Sequence, residues 1–273
     1  MCAFPVSPPL PLYRCLSCSY SPLLPARKSP ALFADDTAYC AQCGRTYSLL
    51  PSGAIDCLGD RPLALTPAQA IAQNIPFAWA YERLWRTNAL TLLSGQPFSS
   101  QREADILNEL AGNADPILDL AAASGYWSRL LLAARPKTTI VALEISAPLL
   151  AEAAQRARPE WPHYSFARAR AEALPFKNDA FAAVMSGGSL NELPFESTLA
   201  EVARVLQPQG KFVSMHIQTV AGLGHILQQA IAPSGMRFYS QSELRQQFQA
   251  VGLNIARYLE FGAIVFVQAI RAA

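Results

Sequence analysis

Residues Pro116 to Glu144, PILDLAAASGYWSRLLLAARPKTTIVALE, decide the fold class of this chain. Pro116 to Leu120 is a short, unbroken apolar run, as a parallel strand buried on both faces requires, and Thr138 to Leu143 repeats it with β-branched residues. Between them, Tyr126 to Ala134 has the spacing and length of a helix. A strand, a helix and a parallel strand form a right-handed crossover, and open sheets of this kind bind ligands beyond the carboxyl ends of their strands. Asp119, Ala121, Ala122, Ala123, Ser124 and Gly125 stand at the first such end. Small side chains there let a ligand approach the backbone, and the helix start at Gly125 to Trp127 offers unpaired N–H groups to an anion. Glu144 closes the second strand, 25 residues after Asp119, where a carboxylate can accept hydrogen bonds from both hydroxyls of a ribose.

Two nucleotide chemistries use this layout, a dinucleotide and S-adenosylmethionine, and the segments that follow separate them. ARAEALPF (Ala169 to Phe176), DAFAAV (Asp179 to Val184) and EVARVLQPQGKFV (Glu201 to Val213) resemble the successive landmarks of class I S-adenosylmethionine-dependent methyltransferases. The resemblance runs from about Pro116 to Val213, and ARVLQPQG before a strand is its most specific piece. It implies a Rossmann-like α/β sheet of seven strands with helices on both faces and a terminal hairpin, here Leu253 to Leu259 with Ala263 to Ala269. It also implies that Asp119, Ala121, Ala123, Gly125 and Gly187 surround the methionine part of the cofactor, that Glu144 holds the ribose, and that Glu172 and Leu174 lie near the adenine. The chain departs from the family at Ala123, where glycine is usual, at Arg170, where an acid usually meets the adenine, and at Ala182. A non-catalytic relative with a degraded cofactor site would account for all three together.

The length of 273 residues suits one sizeable domain with a small attachment, and 51% hydrophobic residues supply its core. A net charge of +2 gives no broad electrostatic case for nucleic acid, and no apolar run reaches membrane-spanning length uninterrupted. The opening MCAFPVSPPLPLYR lacks a basic n-region and is read as neither a secretory signal nor a transit peptide, so a cytoplasmic enzyme is expected. Residues 1–14 are read as an extended lead, 15–59 as a zinc ribbon, 60–112 as a linker with lid helices, and 113–273 as the methyltransferase domain.

The ribbon rests on Cys15-Leu-Ser-Cys18 and Cys40-Ala-Gln-Cys43, two C-x2-C pairs separated by 21 residues. That spacing brings four thiolates around a structural zinc ion and leaves no open position for catalysis. Two disulfides are the rival reading, disfavoured in a cytoplasmic protein, and a redox C-x-x-C is another. Cys40 to Leu58 resembles the second half of the ribbon that precedes the methyltransferase domain in several bacterial and plant families. IPFAWAYERLWR (Ile75 to Arg86) is similar to a stretch of cyanobacterial and chloroplast methyltransferases that also begin with a ribbon.

In enzymes of that architecture the helices before the first strand shape the acceptor pocket, which makes Tyr81, Arg83, Trp85 and Arg86 pocket candidates, with His225 from a later insertion. An aromatic stripe at helical spacing is equally well explained by packing alone. Ser100 is read as a helix cap with Glu103 three residues on. Asn191 and Glu192, after the fourth strand, are the polar candidates for orienting an acceptor, and His216 is a candidate base. The expected reaction is methyl transfer to a small, hydrophobic or quinone-like acceptor. The main rival is methylation of guanine in ribosomal RNA, with the ribbon holding RNA through Arg14, Arg27, Lys28 and Arg45. The oligomeric state is not encoded.

Overall fold

The computed structural model describes residues 8–25, 36–58 and 65–273. A small antiparallel sheet comes first: β1 (Leu24–Pro25), β2 (Asp36–Tyr39) and β3 (Thr46–Ser48), in that order. β4 (Ile55–Asp56) leaves it for the main sheet. Helices α1 (Pro67–Ile71) and α2 (Ile75–Ala80) follow, then a π-helical run Tyr81–Arg86, α3 (Thr87–Ser94) and α4 (Ser100–Ala111).

The larger domain alternates β5 (Ile117–Leu120), α5 (Tyr126–Ala134), β6 (Ile140–Glu144), α6 (Ala147–Gln155), β7 (Tyr164–Arg168), β8 (Phe181–Gly187) and α7 (Phe195–Val205). It closes with β9 (Leu206–Ile217), α8 (Leu223–Ile231), α9 (Gln241–Ala250), β10 (Leu253–Phe261) and β11 (Ile264–Arg271). The main sheet has eight strands in the order β10-β11-β9-β8-β5-β6-β7-β4, antiparallel only at β9-β11 and β11-β10. Seven were expected; the eighth is β4, whose Ile55 and Asp56 pair in parallel with Ala167 and Arg168 of β7. An uncovered β7 would present a row of unpaired backbone groups, and the ribbon caps part of that edge.

The core divides along the pleat. Ile117, Ile140 and Ala142 face one layer with Trp127 and Leu131, while Leu118, Leu120 and Val141 face the other with Leu199 and Val202. Alternation sends successive side chains to opposite faces, which is why unbroken apolar runs form these strands. The chain runs outward from β5 through β6 to β7 and then returns to β8 on β5's other side. This reversal opens a crevice beyond the carboxyl ends of β5 and β8.

The lead differs from its reading. Residues 1–7 lie outside the described residues, but Leu10–Leu12 form a 3-10 turn and Tyr13 is completely buried. Its ring meets Phe176 edge-on with centroids 4.8 Å apart. Arg14 N donates to Pro175 O at 3.0 Å and Lys177 N to Leu12 O at 2.9 Å, so the segment is stitched to the larger domain. Four prolines in the opening residues gave it the look of a loose tail; the aromatic that anchors it is a single residue. Of the stretch 60–112, read as linker and lid helices, residues 60–64 lie outside the described residues. Among those described, no helix is long and apolar enough to cross a membrane.

Replacing a fully buried aromatic with alanine costs about 3–5 kcal/mol. Tyr13→Ala is therefore expected to lower the urea unfolding free energy by about 3 kcal/mol; an unchanged midpoint would mean that the lead is not anchored.

Candidate functional site

The site begins with the turn after β5. Ala121 (φ 53°) and Ala123 (φ 48°) both adopt the left-handed backbone that L-residues rarely occupy. That turn directs the Ala123 N–H at Glu144 Oε2, 3.0 Å away. Ile145 N and Ser146 N donate to Oε1 at 2.8 and 2.9 Å. Ser146 also caps α6, accepting from Leu149 N, and its hydroxyl donates to Ala72 O of the lid at 2.6 Å. Burial pushes the Glu144 carboxyl above its ordinary pKa, and the three N–H groups pull it back toward ionisation.

Above Glu144 lies a cavity of about 370 Å³. Its floor is made by Ala121, Ala123 and Gly187, one end by Glu144 and Glu172, and its roof by Gln69, Ile71, Ala72 and Phe77 before α3 and by Leu90 and Leu93 within it. Glu192, Met215, Ile217 and Met236 complete the wall. A recess of about 20 Å³ shares Ala121, Ala123 and Gly187 with the cavity and reaches Asp119. Burial raises the Asp119 pKa to about 7, although its Oδ2 accepts from Ser128 N and Oγ at 3.2 and 2.6 Å. Burial, with Glu144 nearby, raises Glu192 to about 6. Small, apolar and acidic surfaces thus converge on one volume of ligand size.

Of the residues proposed from the sequence, Asp119, Ala121, Ala123, Glu144, Glu172, Gly187 and Glu192 line the cavity or its recess. Other candidates lie elsewhere. Leu174 is fully buried away from the cavity, its N–H bonded to Glu201 Oε2 at 2.7 Å. Gly125 does not line the cavity; it is the left-handed cap of α5, and a Cβ there would fall 2.1 Å from the Tyr164 hydroxyl. Asn191 is buried and holds backbone together: its amide donates to Ile217 O and Arg237 O at 2.9 and 2.6 Å and accepts from Ile217 N.

His216 points the wrong way. Met215 and Ile217 face the cavity, so alternation turns His216 to the opposite layer, against Phe195 and Phe248. Its Nε2 is paired with Ser214 Oγ at 2.8 Å, and burial drives its pKa down to about 3. Arg83 is exposed, lies over Trp79 and pairs with Glu152 at 3.3 Å. His225 is exposed beside Gln229, outside the cavity. The side chains of Tyr81, Trp85 and Arg86 lie outside the described residues.

Two contributors went unread. Glu82 reaches from the π-helical run to Ser124 Oγ and Arg129 Nη2, both at 2.5 Å, fastening the lid to the turn after β5. Burial alone would raise its pKa, but Arg129, Ser124 and Arg156 together bring it below the ordinary range. Glu103 accepts from the Trp127 indole at 2.6 Å, and that ring lies so close under Gly187 that a Cβ there would sit 3.0 Å from Cδ2. The cap of α4 is Ser99, one residue earlier than read, which frees Glu103 from a capping role. S-x-x-E fits a capping box equally well, and nothing in that spacing announces an indole partner.

In the ribbon the sulfurs of Cys15, Cys18, Cys40 and Cys43 all lie within 4.8 Å of one another. Zinc–thiolate bonds of about 2.3 Å set tetrahedral edges near 3.8 Å, so the cluster fits. Ser17 N and the Tyr47 hydroxyl donate to Cys15 Sγ at 3.4 and 3.3 Å, the supporting bonds such thiolates need.

A family model described as "Methyltransferase domain" matches residues 117–210. Residues 117–210 are thus similar to a methyltransferase domain. The demethylmenaquinone methyltransferase of Thermus thermophilus is 37% identical over 98 residues, 36% of this chain and 44% of that protein. An uncharacterized chloroplastic methyltransferase of Arabidopsis thaliana is 28% identical over 193 residues, 64% of this chain and 53% of that one. The chain thus spans about half the length of the curated relatives it matches. The complex between the Haloferax volcanii Trm112 methyltransferase activator and a putative methyltransferase contains a chain of similar fold. It has a TM-score of 0.59 and 19% identity, covering 77% of this chain and 100% of that chain. In the matched stretch, the turn after β5 and the end of β6 are therefore the places to test for a cofactor.

A glycine relieves left-handed strain of about 1–2 kcal/mol at the cost of a looser unfolded chain. Ala123→Gly is expected to change stability by less than about 1 kcal/mol, in the stabilising direction, when measured by urea unfolding. Glu192 binds its proton more tightly folded than unfolded, so the stability it contributes is full at low pH and lost as pH rises through about 6. Glu192→Gln should accordingly melt higher than the parent at pH 8, with the difference vanishing near pH 4; calorimetric scans at both values check the sign.

Proposed function

We propose that the chain transfers a methyl group from S-adenosylmethionine to a small, apolar, quinone-like ring. Glu144 carries this reading: a buried carboxylate at the carboxyl end of β6, facing the cavity, with no ion pair among the described residues. Three backbone donors take three of the carboxylate's roughly four acceptor sites, two of them on Oε1, and a neutral ribose hydroxyl suits the site left on Oε2. Asp119 and the turn Ala121 to Ala123 would receive the methionine end in the recess, with Glu172 toward the adenine. Arg170 does not stand free in place of the missing acid, because its Nε donates to Glu172 Oε1 at 2.5 Å.

The bound cofactor supplies an already activated sulfonium methyl. What remains for the chain is alignment and exclusion of water. Trp127, held by Glu103, fixes Gly187 at the floor, and the lid fastened through Glu82 closes the roof. Glu192 is the one of the three acceptor-side candidates that faces the cavity; ionised above about pH 6, it accepts the proton of a phenol or enol. Phe77, Leu90, Leu93, Met215 and Met236 favour a flat hydrophobic ring, and the similarity to the demethylmenaquinone methyltransferase of Thermus thermophilus supports a quinone-like one.

The four ribbon cysteines hold a structural zinc ion in this reading. Of the basic residues that RNA recognition would use, Arg14 pairs with Glu201 at 3.6 Å and Arg45 donates to Ser17 Oγ at 2.7 Å. Arg27 and Lys28 lie outside the described residues. Ala123 counts less against cofactor binding than its methyl group suggests, since it keeps the left-handed backbone and donates the bond that glycine would.

Calorimetric titration with S-adenosylhomocysteine tests the reading. The zinc-loaded protein is expected to bind it, and Glu144→Ala to weaken binding by about tenfold or more, the loss typical of hydrogen bonds to a charged group. No binding by a folded protein overturns the proposal.

A further inference from the structure

Arg168 occupies an unusual position in the sheet. As the last residue of β7 it is the register partner of Glu144 on β6 and of Asp56 on β4 at the same time. Its side chain ties the two sides together. Nε donates to Ile145 O at 3.2 Å, beside the residue that the cofactor site depends on, and Nη1 pairs with Asp56 Oδ2 at 3.2 Å. Both partners are largely buried, at 17% and 8% side-chain exposure, so the pair is screened less than a surface one. The Arg168 carbonyl accepts from Cys57 N at 2.9 Å, continuing the ladder.

On the ribbon side the path is short. Cys43 lies three positions before the start of β3, Tyr47 of β3 bonds Cys15 Sγ, and Leu49 bridges to Ile55 of β4. A domain this small relies on its metal to fold, so metal occupancy is a two-state element: with zinc, β4 is presented to β7, and without it, that strand and Asp56 are released.

We infer that Arg168 is a positioning residue through which the zinc ribbon supports the cofactor site, so that metal in the ribbon raises the affinity for cofactor. The inference rests on the methyltransferase reading above. The guanidinium fork holds the Ile145 carbonyl, which fixes the turn whose N–H groups receive Glu144. Loss of Asp56 leaves that fork with a single partner among those described here, and the turn loosens.

The test is a cycle on the full chain, with S-adenosylhomocysteine affinity measured by calorimetry and zinc content by atomic absorption. Chelation of the parent protein is expected to weaken binding about fivefold or more, the lower range of measured couplings between sites. Arg168→Ala, still zinc-loaded, should weaken it by a similar factor, and chelation of Arg168→Ala should add little, because the connector is already gone. Equal chelation losses in parent and variant, or no loss on chelation of a protein that stays folded, overturn the inference. If chelation unfolds the whole chain, Asp56→Asn with full zinc content decides: weaker binding supports the connection, and parental affinity overturns it. Absence of binding by the zinc-loaded parent would sink the methyltransferase reading and this inference with it.

Discussion

The Glu144 carboxyl is buried with no cation against it among the described residues, and the surrounding backbone is arranged to make that tolerable. An ionised carboxylate taken from water needs charge or hydrogen bonds in return. Here they come from the N–H groups of Ile145 and Ser146, which follow it in sequence, and of Ala123, which reaches it only because the turn after β5 goes left-handed twice. The helix starts of α5 and α6, the floor of the cavity and the fastening of the lid to Ser124 and Ser146 all depend on that geometry. Local strain at Ala121 and Ala123 is sustained because the bonds it permits lie at the centre of the site.

The division of labour among acids follows from environment. Glu82 is held ionised by arginines and serves as a fastener, Glu103 serves an indole, and Glu144 is satisfied by backbone. Glu192 faces the cavity with a raised pKa and is the group best placed to exchange a proton near neutrality. The fold by itself would not have said so, since one scaffold hosts many chemistries.

Much of this was legible before the structure. Buried parallel strands announce themselves by unbroken apolar runs, and the crossover rule then places Asp119 and Glu144 at one end of the sheet. The four cysteines are read from spacing because a metal imposes its geometry on sequence. What failed did so for identifiable reasons. His216 and Met215 are neighbours in sequence, and only the register of β9 against β8 and β11 decides which of them sees the cavity. Asn191 looks like an acceptor ligand until the backbone groups of Ile217 and Arg237, 26 and 46 residues away, are found to use it. Tyr13 and Glu82 act through contacts far along the chain, which local pattern cannot supply. The zinc ribbon was read as separate because its composition is separate; a two-residue strand is too short to show that it belongs to another sheet.

That short strand also bears on how the chain comes together. Asp56 and Arg168 are 112 positions apart, so their contact closes a long loop whose entropy must be offset before the pairing is gained. The ribbon leaves the ribosome before the larger domain, yet its last strand has no partner until β7 has been made and set beside β6. Non-local pairings of this kind form late. A fragment ending before β7 would hold a ribbon with an unmatched edge, and one beginning after β4 a sheet with the complementary edge uncovered. The boundary that composition draws through the middle of this protein is therefore not a seam along which it can be divided into two self-sufficient halves.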